Sequence, residues 1–384
     1  MKKIITTERV PIKLWLDDIE DGALSQAKNL ANLPFAFKHV AIMPDSHQGY
    51  GMPIGGVLAT EQVIIPNAVG VDIGCGMVAV KTTLKDITRE QIIDTMKIIR
   101  KTVPVGFNHQ EEEQEWDGFD RAPNIEVIQK NIKSARKQIG TLGGGNHFIE
   151  IQKGNDGHIW LMIHSGSRNF GLQTANEYHK KAKSLCQKWQ SDIPDPDLSF
   201  LPMDESVGRE YREAMEYALE FARANRALMM ERTKSALAEV VSLSSTDFEE
   251  FANIHHNYAA MENHYGKNVM VHRKGATLAT DSTIGIIPGS MGTSSYIVKG
   301  LGNKESFNSC SHGAGRKMGR NHARRTLNLA EEQEKMGDII GKPRSVDQLD
   351  EAPGAYKDIV SVMANQTDLV EILIKLTPLA VIKG

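Results

Sequence analysis

The chain has little of what would fasten it from outside or anchor it to a surface. Its three cysteines (Cys75, Cys186 and Cys310 in 384 residues) are too few, and odd in number, for a disulfide scaffold, which fits a reducing compartment. No run of about 18 apolar residues free of charge occurs, so no segment reads as a membrane span. Residues 1–9 lack the apolar core of a secretory signal, and we expect a cytoplasmic protein. Charge of one sign is not in excess either. The 45 Lys and Arg against 48 Asp and Glu leave a net charge of −3. That gives no global signature of nucleic-acid binding but leaves room for a local basic face. Internal repeats, low-complexity tracts and linkers are absent too.

What is there is an ordinary globular composition, 40% hydrophobic and 24% charged, on a chain long enough for a sizeable core. Periodicity predicts helices over 18–33, 88–101, 123–138, 206–240, 251–264, 314–328 and 355–365. Short apolar runs between Gly and Pro predict strands at 39–43, 54–59, 62–65, 76–82, 147–152, 158–163, 268–272, 283–287 and 295–298. The simplest architecture is α+β: one compact body over residues 1–384, with a central mixed sheet surrounded by helices.

The chemistry gathers around Asn67-Ala68-Val69-Gly70-Val71-Asp72-Ile73-Gly74-Cys75-Gly76-Met77. Positions three apart on a straight strand face opposite ways. Asp72 and Cys75 therefore converge only if the chain turns between them, which Gly74 and Gly76 permit. Taken alone, the stretch reads first as a buried strand with a core thiol and an exposed turn Asp. Other candidate ligands stand at similar places. Gly143-Gly144-Gly145-Asn146-His147 ends a glycine loop, with Glu150 three residues on. His164 ends a strand before Ser165-Gly166-Ser167-Arg168. His255-His256-Asn257 puts two imidazoles in a predicted helix, where neighbours do not share a face and only one would serve. Asp72, Cys75, His147, His164 and His256 together form a mixed O/S/N set. Thiolate and imidazole suit zinc or another late first-row metal, while the carboxylate keeps manganese and iron in play. One thiolate bridging two ions would make a dinuclear site.

A second constellation concerns phosphate. The stretch Gly285 to Ser295 is a turn dense in Gly and hydroxyl residues that matches neither common phosphate-loop pattern; a plain turn remains the alternative. Ser309-Cys310-Ser311-His312-Gly313-Ala314-Gly315-Arg316 opens a predicted helix. A neutral imidazole there is a competent nucleophile toward phosphorus, its ordinary pKa being about 6.5. Residues 316–325 then carry five fixed positive charges, either a solvated face or a local track for a phosphate backbone.

In this order, these motifs resemble the RtcB family, GTP-dependent ligases that join RNA 3′-phosphate or 2′,3′-cyclic phosphate ends to 5′-hydroxyl ends. The resemblance spans essentially the whole chain. It rests on Pro44-Asp45…His47…Gly49…Gly51, the 69–77 stretch, Gly145 to Glu150, His164 to Arg168 and His256-Asn257. It continues through Pro288 to Ser295, His312 to Arg316, Ala355 to Asp358 and Lys383-Gly384. It implies one catalytic domain over 1–384 and two Mn²⁺ ions. Asp72, Cys75 and His147 would hold the first, and Cys75, His164 and His256 the second. It makes His312 the residue that becomes guanylylated. It places GTP among Asn146, His147, Phe148, Glu150, His256, Asn257, Pro288, Gly289, Ser290, Met291, Ser295, His312, Gly313, Ala314, Gly315, Tyr356 and Lys383. Arg168 and Arg316 become candidates for contacting the RNA ends, and an archease-type activator a candidate partner. Departures from the family pattern, such as Asn169-Phe170 and a compressed 329–350 segment, lie outside the metal and histidine motifs and bear on which RNA is joined. The competing readings are a metal-dependent phosphoester hydrolase, which would need neither His312 nor Lys383, and a non-catalytic RNA-binding relative.

Overall fold

A computed structural model describes all of residues 1–384. Its strands form two main sheets and two short ribbons. The seven-stranded sheet runs, edge to edge, through Phe248–His255, Gly76–Thr82, Ile159–Ser165, Phe148–Gly154, Val370–Lys383, Ser295–Gly300 and Ile284–Ile287. Every neighbouring pair in it is antiparallel. Its central strands are buried on both faces, which is why they read as continuous apolar runs rather than as alternation. The six-stranded sheet runs through Lys3–Ile5, Ile12–Leu14, Ala36–His47, Ile54–Thr60, Lys267–Lys274 and Asn257–His264. It is mixed by one parallel pair, Ile12–Leu14 with Ala36–His47. Ala276–Leu278 pairs with Ser309–Ser311, and Val63–Ile64 with Leu201–Pro202.

The α+β class expected from the sequence is observed. The long helix Ser206–Val241 lies across Gly76–Thr82 and Ile159–Ser165. Its small residues Ala214, Ala218 and Ala222 are fully buried and let it approach closely. It ends where Ser242 turns left-handed, at φ 57°. Arg168–Lys188, not anticipated from the sequence, is a second long helix packed against it.

Three local expectations are corrected. Residues 251–264 are not helical: Phe248–His255 and Asn257–His264 are strands, one at the edge of each main sheet. The run Ala259-Ala260-Met261-Glu262 suits a helix, but pairing with Gly76–Thr82 and Lys267–Lys274 decides the outcome. Residues 314–328 hold only the short helix Arg320–Thr326, so His312 stands in a loop after Ser309–Ser311 and opens no helix. Residues 355–365 shrink to Ile359–Ala364. His256 is thus a one-residue link between strands of the two main sheets, and a cleft of ≈ 790 Å³ lies there.

Candidate active site

Asp72 and Cys75 are brought together by a β-turn. The Cys75 N–H donates to the Asp72 carbonyl at 3.1 Å, and Gly74 occupies the third position with φ 75°. Only glycine takes that conformation without strain, as a type II turn requires. The turn is clasped from the strand-crossing segment. Gly74 N–H donates to Asn257 O at 2.9 Å, His256 N–H to Cys75 O at 2.9 Å, and Asn257 Nδ2 to Asp72 O at 3.1 Å. Successive residues of an extended chain face opposite ways. His256 enters the cleft, whereas His255 Nδ1 lies 3.2 Å from the Arg226 guanidinium. Of the adjacent imidazoles only one faces the cleft, and the cause is strand alternation and not helical spacing.

The five candidate ligands form one continuous chain of contacts. Asp72 Oδ2 lies 3.2 Å from His147 Nε2, which lies 3.3 Å from Cys75 Sγ. Cys75 Sγ lies 3.2 Å from His164 Nε2, which lies 3.3 Å from His256 Nε2. Ligand atoms of Cys75, His147 and His164 all fall within 4.8 Å of one another. The second ring nitrogen of His164, Nδ1, is 3.1 Å from the Asn146 carbonyl. It must carry the proton there, because a carbonyl only accepts. His164 Nε2 is therefore a bare lone pair aimed at a sulfur and at another ring nitrogen. Burial, reinforced by His147, His312 and Lys383, holds His164 well below the usual imidazole range, so the ring stays neutral. His256 is held down in the same way. Burial, and then the Asp72 charge, raises the Cys75 thiol well above its ordinary value, and a bound cation would displace that proton. Lone pairs converging on buried sulfur, with few protons to share among them, fit a metal centre and fit a packed core poorly. The central thiol, flanked by an imidazole on each side, stands where a bridging ligand would.

His312 lies beyond His256, their ring centroids 4.8 Å apart. Sequence reading passed over what holds it. Asp45 is fully buried, and its Oδ2 accepts from His312 Nδ1 at 2.6 Å, His312 N at 3.0 Å and Gly313 N at 3.2 Å. Burial opposes the Asp45 charge, but His312, His47 and Lys357 together outweigh it and the carboxyl is lowered. With Nδ1 tied to Asp45, His312 Nε2 is the free nitrogen, and His312 lines the cleft. Asp45 had appeared only within a motif; nothing local in Pro44-Asp45-Ser46 points 267 residues ahead.

The other candidate residues divide by position. Asn146, Phe148, Asn257, Pro288, Gly289, Gly313, Ala314, Gly315, Arg316 and Tyr356 line the same cleft. Ser290, Met291 and Ser295 are buried in its wall: Ser290 N–H donates to Thr293 Oγ1 at 2.7 Å, and Ser295 Oγ accepts from Gln152 and from Gly289 N. Those hydroxyls brace the loop from within. Glu150 is buried, and burial raises it to about 8 against the opposing pull of Lys383 and Gln152. Lys383 Nζ sits 5.6 Å above the Phe148 ring and 3.1 Å from Glu351 Oε2. Glu351, another residue missed from sequence, also binds Tyr356 OH at 2.5 Å, Arg320 at 2.7 Å and Arg316 at 3.2 Å. Burial opposes its charge, but Lys383 and the arginines drive it down to about 2. The basic stretch is thereby partly neutralised, since Arg316 and Arg320 pair with Glu351 and Arg324 with Asp350. Arg168 is not among the residues lining the cleft, though it lies near enough to Asp72 to feel its charge. It donates to Thr141 Oγ1 at 2.9 Å and Gly106 O at 2.6 Å, and it adopts a left-handed φ of 58° that strains a non-glycine residue.

The chain is similar to known proteins along its whole length. The profile of a family described as "tRNA-splicing ligase RtcB" matches residues 26–126 and 112–384. The "RNA-splicing ligase RtcB" of Escherichia coli is 38% identical over 407 residues, covering 100% of this chain and 99% of the relative. The "tRNA-splicing ligase RtcB" of Thermococcus kodakarensis is 32% identical, covering 98% and 95%. The "RNA-splicing ligase RtcB homolog 1" of Entamoeba histolytica is 32% identical, covering 94% and 84%. No helix is long and apolar enough to cross a membrane.

Proposed function

The chain belongs to the RtcB family of RNA ligases, and from that premise we propose that it uses GTP and manganese to join 2′,3′-cyclic phosphate or 3′-phosphate RNA ends to 5′-hydroxyl ends. Residues 1–384 act in this proposal as one catalytic domain. The observation that carries it is a histidine with one nitrogen tied to a buried carboxylate and the other free, in the cleft that also holds the thiol–imidazole chain.

Asp72, Cys75 and His147 would hold one manganese, and Cys75, His164 and His256 the other. The two cations supply charge neutralisation for the triphosphate and its leaving group. The rest falls to the protein's own groups. Asp45 keeps the proton on His312 Nδ1, so Nε2 attacks the α-phosphorus of GTP and pyrophosphate leaves. An oxygen of the RNA 3′-phosphate then attacks the phosphorus of the adduct, the N–P bond breaks, and His312 is released with an RNA-ppG end formed. The 5′-hydroxyl of the second strand attacks the RNA phosphorus, loses its proton, and GMP departs. A cyclic end is first opened by water to the 3′-phosphate. Asp45 also stabilises the positive charge that the ring carries while phosphorylated. Phe148, Glu150, Tyr356 and Lys383 would present a flat face, an acceptor and donors to the guanine. Arg168 and Arg316 would meet the RNA ends, and an archease-type protein is the proposed activator.

A strand-joining assay tests this. RNA bearing a 2′,3′-cyclic phosphate, mixed with RNA bearing a 5′-hydroxyl, should be joined only when GTP and Mn²⁺ are both supplied. Opening of the cyclic phosphate without joining would instead establish the hydrolase. That alternative leaves the Asp45–His312 pair without a task, and the geometry does not favour it.

A further inference from the structure

Two adjacent residues of the long helix, Asn225 and Arg226, are fully buried and polar. Arg226 NH1 donates to Gly74 O at 2.8 Å and to Ser165 O at 3.0 Å, while Nε donates to Asn253 Oδ1 at 2.9 Å. With NH2 beside His255, the guanidinium thus touches the residue next to Cys75, the residue next to His164 and the residue next to His256. Asn225 covers the remaining segment. Its Oδ1 accepts from Gly140 N at 2.7 Å and Thr141 N at 3.2 Å, at the root of the loop that delivers His147. Its Nδ2 donates to Gly166 O at 3.0 Å, beside the same strand end that carries His164.

Burying a guanidinium whose hydrogen bonds all go to neutral acceptors costs several kcal/mol of desolvation. An apolar side chain would fill the space without that cost. What arginine adds is a rigid planar fork of five N–H donors, able to fix several carbonyls at set spacings, which the flexible ammonium of lysine cannot do. Partners of metal ligands set ligand orientation, and their loss typically weakens metal binding about 10–100-fold.

We infer that Asn225 and Arg226 are the positioning residues of the metal centre: one step along the helix, they index all four chain segments that carry the five ligands. The inference rests on the ligand set proposed above. It also gives the long helix a task beyond covering the sheet, since sliding or tilting it would move every ligand segment at once.

Cobalt(II) titration of the full chain, followed through the thiolate-to-cobalt charge-transfer band, tests it without reference to turnover. The unaltered protein should bind two cobalt ions. Arg226→Lys and Asn225→Ala, with far-ultraviolet circular dichroism unchanged, should bind about 10–100-fold more weakly and with a shifted band. A folded Arg226→Lys protein with the original affinity and spectrum overturns the positioning role and leaves the ligand set standing. An unaltered protein that develops no band overturns both. Should the arginine and asparagine variants fail to fold, Asn253→Ala, which frees only one edge of the guanidinium, decides: several-fold weaker binding supports the role, and unchanged binding refutes it.

Discussion

The two ends of the cleft are built on different plans. At the metal end each candidate ligand is fixed by backbone. Met77 and Phe148 flank His164 across the antiparallel ladder. His255 pairs with Gly76, and a turn closed by Gly74 sets Asp72 against Cys75. Many weak constraints share the task there, and no one backbone bond is decisive. At the histidine end the proposed nucleophile, His312, stands on a loop, and a single carboxylate oxygen of Asp45 takes three of the loop's N–H groups. Positioning shared among many backbone bonds and the Asn225–Arg226 pair weakens by degrees when a part is lost; positioning through one buried atom fails outright. Cys75 is the exception at the metal end, because its sulfur alone touches both halves of the ligand chain.

The largest effect should follow from breaking that exception. Cys75→Ala should remove both metal ions and leave guanylylation undetectable, whereas Asp72→Ala should weaken mainly the ion on the His147 side; metal content of the purified variants reads the difference. Asp45→Asn comes next. It should slow formation of the histidine adduct roughly 10²–10⁴-fold while metal content stays at the unaltered level, since Asp45 touches the nucleophile and no ligand. Equal loss of metal in this variant would erase the distinction between the two ends.

Opposed carboxyls give a smaller, pH-dependent effect. Folding keeps the proton on Glu150 up to about 8, whereas the unfolded chain releases it near 4.5. Between those values the native state binds more protons, so stability is lost as pH rises from 4.5 to 8. Glu150→Gln should flatten that slope in thermal melts. Glu351 runs the other way, lowered to about 2. Its stabilisation is present above 4.5 and vanishes as pH falls toward 2. Glu351→Gln should therefore cost about 3 kcal/mol at pH 7 and almost nothing at pH 2. The smallest effects belong to the basic stretch. Lys317 and Arg325, which make no salt bridge, should each weaken RNA binding a few-fold when changed to Ala and reduce the salt slope by about 0.7.

How much of this was legible in the sequence follows the same division. Gly76–Thr82 and Ile159–Ser165 were readable because apolar runs between glycines announce buried strands. Asp72, Cys75, His147 and His164 stood out because each lies within two residues of a glycine at the edge of an apolar run, whereas His256 was read on a predicted helix. The run at 251–264 misled, because its Ala, Met and Glu suit a helix and only pairing with strands far along the chain makes it extended. Asp45, Glu351, Asn225 and Arg226 carried no signal of their roles. Each acts through partners brought near by the fold: Asp45 through a residue 267 positions away, and Arg226 through carbonyls 152 and 61 positions away. Local pattern encodes which segments form strands and turns, but not which buried polar groups will meet.

The central claim is that a metal-held triphosphate meets an Asp45-oriented nucleophile at His312. Incubating the protein with GTP labelled at the α-phosphate, in Mn²⁺, and recovering the protein under denaturing conditions tests this most directly. The account predicts an acid-labile, covalently bound label that is absent from His312→Ala. Label persisting in His312→Ala, or no label on the unaltered protein with any divalent metal, would contradict it.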